Sequence, residues 1–158
     1  MASIDRIYLD TNVFVLAFEK KDRSGAILSD LFFNVEKGSM PLFVRSELTL
    51  SELLVIPYRN GDAELIEAYA VLLQNDDWLE VVPVKRPVLI QAAMLRSHRK
   101  GLKLPDAIHL SSASGAGCSH FLTADMGINA QVAEQEGPLT VLRPDEPTLT
   151  SLIESLAR

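Results

Sequence analysis

Short apolar runs alternate along the chain with longer stretches in which apolar residues recur every three or four positions. The short runs are rich in β-branched and aromatic residues, which is typical of buried strands, and the longer stretches have the period of a helix. Because the two kinds of stretch alternate throughout, the pattern predicts an α/β fold, a three-layer α/β/α sandwich with a mostly parallel central sheet of about five strands. The predicted strands are Ile4–Leu9, Pro41–Val44, Trp78–Val82, Ser119–Leu122 and Leu139–Leu142.

Capping residues and helix breakers set the expected ends of the helices. Ser and Asp favour the first positions of a helix, Pro suits its first turn, and Gly or a later Pro ends it. The predicted helices cover Val13–Phe18, Ser24 to Gly38, Ser46 or Ser51 to Pro57, Gly61-Asp62 to Leu73, Pro87–Arg99, Asp106–Ala113, Ile128–Glu136 and Pro147–Ala157.

The length of 158 residues fits one globular domain, residues 1–158, with a substantial core. The formal net charge of -6 argues against a protein that binds nucleic acid with its whole surface, although it allows a local basic patch beside an acidic centre. Cys118 is the single cysteine, so no internal disulfide can form. Because we also find no signal peptide and no apolar run of membrane-spanning length, we expect a cytoplasmic protein.

Acidic residues come just after two of the predicted strands. Asp10 directly follows the first strand, and Asp125 comes soon after the fourth. The strands of a parallel sheet all end on one edge, which is where α/β proteins bind ligands, so these two carboxylates can meet there. Taken alone, Asp10 or Asn12 is better explained as a cap of the next helix, and the three later acids are what favour a site.

Two further acids belong to predicted helices. Asp106 lies in the first turn of its helix, where a favourable interaction with the helix dipole would be a sufficient role. Glu52 shares one helix stripe with Leu48 and Ile56, which lie four residues before and after it. A carboxylate on an apolar stripe either loses its hydration or faces a polar cavity. Glu47 lies at the helix start, where an exposed position is enough, so Glu52 is the better candidate.

A cluster of four carboxylates needs a compensating charge. Two unit charges about 6 Å apart repel by about 3 kcal/mol at an effective dielectric constant of about 20. Such a cluster is tolerable only if a cation lies among the acids or if some of them carry protons. Carboxylate oxygens select hard cations, so Mg²⁺ or Mn²⁺ is expected, and such an ion can activate a water molecule beside a phosphate.

Four short motifs occur in the order found in PIN-domain ribonucleases. They are Tyr8-Leu9-Asp10-Thr11-Asn12-Val13, Ser46-Glu47-Leu48-Thr49-Leu50-Ser51-Glu52-Leu53, Leu104-Pro105-Asp106-Ala107-Ile108-His109-Leu110 and Phe121-Leu122-Thr123-Ala124-Asp125. On these motifs, which span nearly the whole chain, the sequence resembles this family, and most of all the VapC-type toxins of toxin–antitoxin pairs.

The resemblance implies a PIN-like fold and a metal-dependent endoribonuclease that leaves a 5′-phosphate and a 3′-hydroxyl. The residues at the family's catalytic positions, which bind one or two Mg²⁺ or Mn²⁺ ions, are Asp10, Glu52, Asp106 and Asp125. The residues that would support these acids by hydrogen bonding are Thr11, Asn12 and Thr123. The resemblance also implies a small antitoxin that neutralises the protein, and a homodimer formed through helices near the stripe from Leu65 to Leu73.

The sequence departs from the family pattern at two places. Ser111-Ser112 stands where the family more often has Ala-Thr, and Ala124 replaces a frequent Asn. The second departure can remove a polar contact beside Asp125. Neither change affects a presumed metal ligand, so both are compatible with activity.

Basic residues are concentrated just before Asp106. The RNA-binding candidates among them are Arg96, Arg99, Lys100 and Lys103. They would hold RNA phosphates beside the metal, but they fit a solvated helix end equally well. The three histidines His98, His109 and His120 recur every eleven residues, and because Gly101 and Pro105 interrupt any continuous helix, we assign that spacing no role.

Two other functions stay open at the level of the sequence. One is a PIN-fold protein with little catalytic activity that acts by binding RNA or protein, although the presence of all four acids argues against it. The other is an aspartate-nucleophile phosphatase, whose first strand also ends in Asp. Those phosphatases resemble a pattern with a second Asp two residues later, and here that position is Asn12, which cannot serve as the general acid.

Overall fold

The computed structural model describes residues 3–35, 38–134 and 137–158. Within these residues five strands form one sheet in the order β3–β2–β1–β4–β5, and every neighbouring pair is parallel. The strands are β1 (Ile7–Leu9), β2 (Phe43–Ser46), β3 (Leu79–Val82), β4 (His120–Leu122) and β5 (Thr140–Leu142). The predicted fold, a parallel sheet of about five strands between two layers of helices, is therefore confirmed.

Helices connect the strands. They are α1 (Thr11–Phe18), α2 (Arg23–Asn34), α3 (Leu48–Asn60), α4 (Ala63–Leu72), α5 (Arg86–His98), α6 (Leu104–Gly115), α7 (Ala130–Ala133) and α8 (Glu146–Leu156). Among the described residues, none of the helices has the length and apolar character needed to cross a membrane.

The central strand β1 is buried on both of its faces, which explains its uninterrupted apolar sequence. Ile7 and Leu9 belong to one core, which also contains residues of α2, α3, α4 and α8. Tyr8 points into a second core, shared with residues of α5, α6 and α7. Because β1 is flanked by β2 and β4, the residue that follows it emerges at the middle of the sheet edge.

Helix α3 does not stop where the sequence predicted. It continues through Pro57 to Asn60, so the predicted end at Pro57 is wrong. Proline holds a helical φ and removes only one backbone donor, so the residues after it can stay helical at the cost of one hydrogen bond. The helix ends at Gly61, whose φ of 62° is left-handed and whose amide donates to the carbonyls of Pro57 and Tyr58.

Helix α2 also has a different first residue from the one predicted. Asp22, not Ser24, is its N-cap, and the Asp22 carboxylate accepts a hydrogen bond of 2.8 Å from the amide of Gly25. The helix ends at Asn34, before the predicted stop at Gly38.

The remaining boundaries differ by a few residues. β1 begins at Ile7, because only Ile7–Leu9 pairs with its neighbours, and β2 reaches Ser46 through its pairing with β3. The helix predicted over Ile128–Glu136 is shorter, since α7 covers Ala130–Ala133; the predicted end at Glu136 lies outside the described residues.

Candidate active site

The four predicted acids come from four different parts of the fold. Asp10 directly follows β1 and is the N-cap of α1, and Asp125 lies in the loop after β4. Glu52 lies in the second turn of α3, the helix that follows β2, and Asp106 lies in the first turn of α6. Asp10 and Asp125 are therefore at the edge of the sheet where parallel α/β folds bind ligands.

Asp10 is almost fully buried, with 4% of its surface exposed, and three donors hold its carboxylate. Oδ1 accepts the amide of Thr11 at 2.8 Å, so the helix-capping role weighed for Asp10 is present. Oδ2 accepts the hydroxyl of Thr123 at 2.7 Å and the side-chain amide of Asn12 at 3.1 Å. These bonds offset the cost of burying the charge and fix the direction of the carboxylate.

Thr123 and Asn12 also connect Asp10 to the loop that carries Asp125. The Thr123 hydroxyl, while donating to Asp10, accepts the amide of Asp125 at 3.0 Å. The side-chain oxygen of Asn12 accepts the amide of Ala124 at 2.9 Å. The backbone of Ala124 therefore makes a contact to the site even though its side chain has no polar group.

Arg143 holds the same loop from its other side. It follows β5, and its guanidinium donates to the carbonyl oxygens of Asp125 at 2.7 Å, Thr123 at 3.2 Å and Ile128 at 2.6 Å. Within the loop, the amide of Gly127 donates to Asp125 Oδ1 at 2.8 Å, and a Cβ at residue 127 would lie only 3.1 Å from that oxygen. The sequence analysis did not select Arg143. The signal that could have found it is its position directly after β5, at the sheet edge where the other strands end.

Glu52 is half-buried, and two side chains donate to one of its oxygens. Oε1 accepts the hydroxyl of Thr11 at 2.8 Å and lies 2.6 Å from Nε2 of His109. Burial opposes ionisation of Glu52, but the interactions with His109 and Thr11 outweigh it and hold the pKa of this carboxyl below its usual value. Glu52 is thus poised as a carboxylate, and the exposed Glu47 is paired with Arg45 instead.

His109 is the central residue that sequence reasoning missed. Its side chain is 1% exposed; Nδ1 lies 2.6 Å from the hydroxyl of Tyr8, and Nε2 lies 3.8 Å from Asp10 Oδ1 as well as beside Glu52. Burial, followed by the charge of Asp10, raises the pKa of Tyr8 well above its usual value, so this phenol is neutral. The overlooked signal was local: His109 lies three residues after Asp106, which places both on one face of α6.

Asp106 and Asp125 line a pocket of about 410 Å³. Burial raises the pKa of Asp106, and the charges of Asp125 and Asp10 raise it further. Among the described residues, Asp106 receives no hydrogen bond and forms no ion pair. Its carboxylate is therefore the least neutralised of the four.

Three of the four RNA-binding candidates line the same pocket as these two acids. They are Arg99, Lys100 and Lys103. The fourth, Arg96, is absent from the lining and donates through Nε to the carbonyl of Leu102 at 3.1 Å. The pocket therefore brings positive side chains and acids to the same opening, while Arg96 stabilises the turn between α5 and α6.

The sequence model of the PIN domain family matches residues 7–133, most of the chain and all four motifs. The chain belongs to the PIN domain family. The predicted resemblance is thereby confirmed, and no curated protein sequence matches the chain.

Solved structures share the fold of this PIN domain. A toxin–antitoxin complex from Klebsiella pneumoniae aligns with a TM-score of 0.63 and 20% identity, covering 89% of this chain and 98% of that one. FitAcB from Neisseria gonorrhoeae aligns at 0.62 and 18% identity, with 87% and 97% covered. VapC20 from Mycobacterium tuberculosis, described as a toxin that cleaves the sarcin–ricin loop, aligns at 0.59 and 16% identity, with 82% and 94% covered.

The donor chemistry of this PIN domain fits a divalent cation. All four acids offer carboxylate oxygens, the donors that Mg²⁺ and Mn²⁺ prefer. Burial is the main cause of the raised pKa of Asp106, and the charges of Asp125 and Asp10, which a cation would neutralise, raise it further. The acids form two pairs. His109 lies next to both Asp10 and Glu52, and Asp106 and Asp125 line one pocket. Within residues 3–35, 38–134 and 137–158, no three His, Cys, Asp or Glu side chains are grouped so as to hold one ion.

Proposed function

We propose that this PIN domain is a metal-dependent endoribonuclease and the toxin of a toxin–antitoxin pair. The observation that carries the proposal is the meeting of acids and basic side chains in one pocket. Asp106 and Asp125 line it together with Lys100 and Lys103, so an RNA phosphate can be held by cations beside carboxylates suited to a metal. Membership of the PIN domain family and the toxin–antitoxin structures that share the fold support the same conclusion.

The residues proposed to hold Mg²⁺ or Mn²⁺ are Asp10, Glu52, Asp106 and Asp125. The ion would polarise the scissile phosphodiester and lower the pKa of a bound water. Thr123 and Asn12 fix the direction of the Asp10 carboxylate through hydrogen bonds, and Arg143 with Gly127 fixes the loop of Asp125.

The basic residues act on the RNA in this proposal. Lys100 and Lys103 are exposed at the pocket and would bind phosphates next to the cleaved one, whereas Arg99 is half-buried and already donates to the carbonyl of Gln131. Phosphate contacts position the strand without reading its sequence, so these residues determine affinity and its salt dependence. Arg96 would add a more distant contact.

The decisive experiment is cleavage of a mixed pool of single-stranded and structured RNA with Mg²⁺, with Mn²⁺ and with chelator. Asp10→Asn and Glu52→Gln should each lower cleavage by about 100-fold or more, the scale of losing one group that stabilises the transition state. Both should also weaken Mn²⁺ binding measured by calorimetry. The matched controls are Asp30→Asn and Glu64→Gln, which remove exposed charges elsewhere. Cleavage that persists in chelator, or in both site variants, contradicts the proposal.

The proposed partner is a small antitoxin that blocks the pocket. An acidic centre with an unneutralised Asp106 is complementary to a basic side chain, so the antitoxin should insert one there. The toxin–antitoxin complexes among the structures with this fold support such a partner. Co-purification with the product of a neighbouring small reading frame, and loss of cleavage on its addition, would test this.

We also propose a homodimer formed through α3 and α4. These helices carry large apolar side chains that stay exposed, with Ile56 exposed by 61% and Val71 by 67%. Of the stripe assigned to α4, Tyr69 and Leu73 are buried in the core and the other three residues are half-buried, so the exposed neighbours offer most of the apolar surface to a second copy.

The second candidate is a PIN-fold binding protein with little catalysis. It is favoured by the absence, among the described residues, of three side chains already grouped as a metal site. RNA that binds but stays intact, together with no measurable Mn²⁺ affinity, would favour it over the nuclease.

A further inference from the structure

His109 lies between the central strand and helix α3, beside Asp10 and Glu52. It is buried and reaches Tyr8 of β1 with one ring nitrogen and Glu52 of α3 with the other, both at 2.6 Å. It therefore links the central strand to a helix on which a proposed metal ligand lies. A buried imidazole with both nitrogens bonded is held in one orientation.

The hydrogen bonds around Tyr8 favour one position for the proton of His109. The amide of Ser46 donates to the hydroxyl oxygen of Tyr8 at 3.1 Å. Tyr8 therefore has its own proton left to donate, and Nδ1 of His109, 2.6 Å away, is placed to accept it, beside the Ser46 hydroxyl that also interacts with Tyr8. With Nδ1 as an acceptor, Nε2 carries the hydrogen and donates it to Glu52 Oε1.

A second chain of donors ends on the same oxygen. The Thr11 hydroxyl donates to Glu52 Oε1, and its oxygen lies 3.0 Å from the hydroxyl of Thr49, which can donate to it in turn. Ser46 ends β2 and Thr49 lies in the first turn of α3, so the junction between the two elements helps to orient the Glu52 side chain of the same helix. Among the described residues no donor reaches Oε2 of Glu52.

We infer that His109 is a positioning residue that fixes Glu52 through Oε1 and so leaves Oε2 as the oxygen offered to the reaction centre. The inference rests on the proposed nuclease function. A free glutamate loses side-chain entropy when it is ordered, and the two donors meet that cost during folding, before any ligand binds. His109 itself contacts no reacting atom in this arrangement.

The proton position is tested directly by two-bond ¹H–¹⁵N NMR on the full chain labelled with ¹⁵N-histidine. The signal that vanishes in His109→Gln identifies His109. We expect the tautomer with hydrogen on Nε2, whereas hydrogen on Nδ1 would overturn the inference. This result does not depend on nuclease activity.

The positioning role is tested by two substitutions of His109, each of which replaces the polar group of only one ring nitrogen. Glutamine can place an amide N–H near the position of Nε2, whereas asparagine reaches only the position of Nδ1. We expect His109→Asn to lower Mn²⁺ affinity and cleavage by about 10–100-fold, as loss of an outer partner of a metal ligand does, and His109→Gln to keep most of both. The matched control is His120→Gln, which replaces another buried histidine away from the site.

A double substitution separates positioning from general stability. In a Glu52→Gln background, His109→Asn should cause no further loss of Mn²⁺ affinity, because the group through which it acts is already altered. Equal losses in His109→Asn and His109→Gln, or a further loss in the Glu52→Gln background, would overturn the inference. If the unmodified protein neither binds Mn²⁺ nor cleaves RNA, the proposed function fails, and the NMR result still decides the hydrogen-bond arrangement of His109.

Discussion

Two buried histidines of this PIN domain have very different surroundings. His109 is bonded through both ring nitrogens, to Tyr8 and to Glu52. His120 in β4 is also fully buried, but within the described part of the chain its Nε2 has no hydrogen-bond partner, and only Nδ1 meets the hydroxyl of Ser119. Burial lowers the pKa of His120 below that of a free imidazole.

The buried His120 should make stability fall in mild acid. As the pH drops through about 6.5, the unfolded chain binds a proton at this residue before the folded chain does, so the free energy of unfolding decreases. The loss continues down to the lower folded pKa and amounts to about 1.4 kcal/mol per unit of pKa difference. Urea unfolding between pH 7 and 5 should show a shallower pH slope for His120→Gln than for the unmodified chain.

The control for that slope is His98→Gln, which replaces an exposed imidazole on α5. The comparison uses the slope with pH and not the absolute stability, because glutamine packs differently from histidine in the core. An unchanged slope in His120→Gln would mean that other groups cause the acid sensitivity.

At the scale of elements, the contact between α1 and α2 depends on one glycine. A Cβ added at Gly25 would lie 2.4 Å from the carbonyl oxygen of Leu16 and 2.6 Å from that of Lys20. Both are backbone atoms, which cannot move aside as the end of a flexible side chain can. The first turn of α2 therefore packs against the end of α1 at a distance that only glycine permits.

Gly25→Ala should destabilise the fold by about 1–3 kcal/mol, the usual cost of overpacking a tight contact. Gly115→Ala is the matched control, since nothing lies within 4 Å of a Cβ at that position in the last turn of α6. Alanine there should cause no loss and can add up to about 1 kcal/mol through helix propensity. Urea denaturation measures both, and similar losses in the two variants would contradict the packing argument.

The sequence predicted the kinds of element better than their ends. The spacing of apolar residues predicted which segments are strands and which are helices, because that spacing reflects which faces of an element are buried. The ends of helices depend on which of several neighbouring residues caps the helix. At the start of α2, Asp22 and not Ser24 accepts the amide of Gly25. Helix α3 continues past Pro57 and ends at Gly61. Local propensity does not decide such competition, since tertiary contacts on either side contribute comparable free energies.

At the scale of the whole molecule, the parallel sheet determines which residues can meet. The rule that ligands bind at strand ends selected Asp10 and Asp125, and the four motifs added Glu52 and Asp106. Neither revealed His109, whose contact to Tyr8 spans 101 residues and depends on how α6 packs on the sheet. Arg143 directly follows β5, so the strand-end rule marks its position, but its role stayed hidden because its partners are backbone carbonyl oxygens.

If the protein dimerises through α3 and α4, one charged residue placed in that interface should turn the dimer into a monomer. Ile56→Asp and Val71→Asp should each shift the protein from dimer to monomer in sedimentation equilibrium, because the interface would have to bury an unpaired carboxylate. Met40→Asp is the control, since Met40 is similarly exposed, by 59%, outside these helices. A monomeric unmodified chain, or an equal effect of Met40→Asp, would contradict the proposed interface.

The bond between Asp10 and Thr123 has a consequence for synthesis of the protein. The two residues lie 113 positions apart, and β1 pairs with both the early strand β2 and the late strand β4. Contacts between distant parts of a chain form late, and a chain emerges from the ribosome with its N-terminal part first. A nascent chain therefore carries Asp10 and Glu52 long before β4 is synthesised, so the hydrogen bond that fixes Asp10 through Thr123 cannot form until most of the chain has been translated.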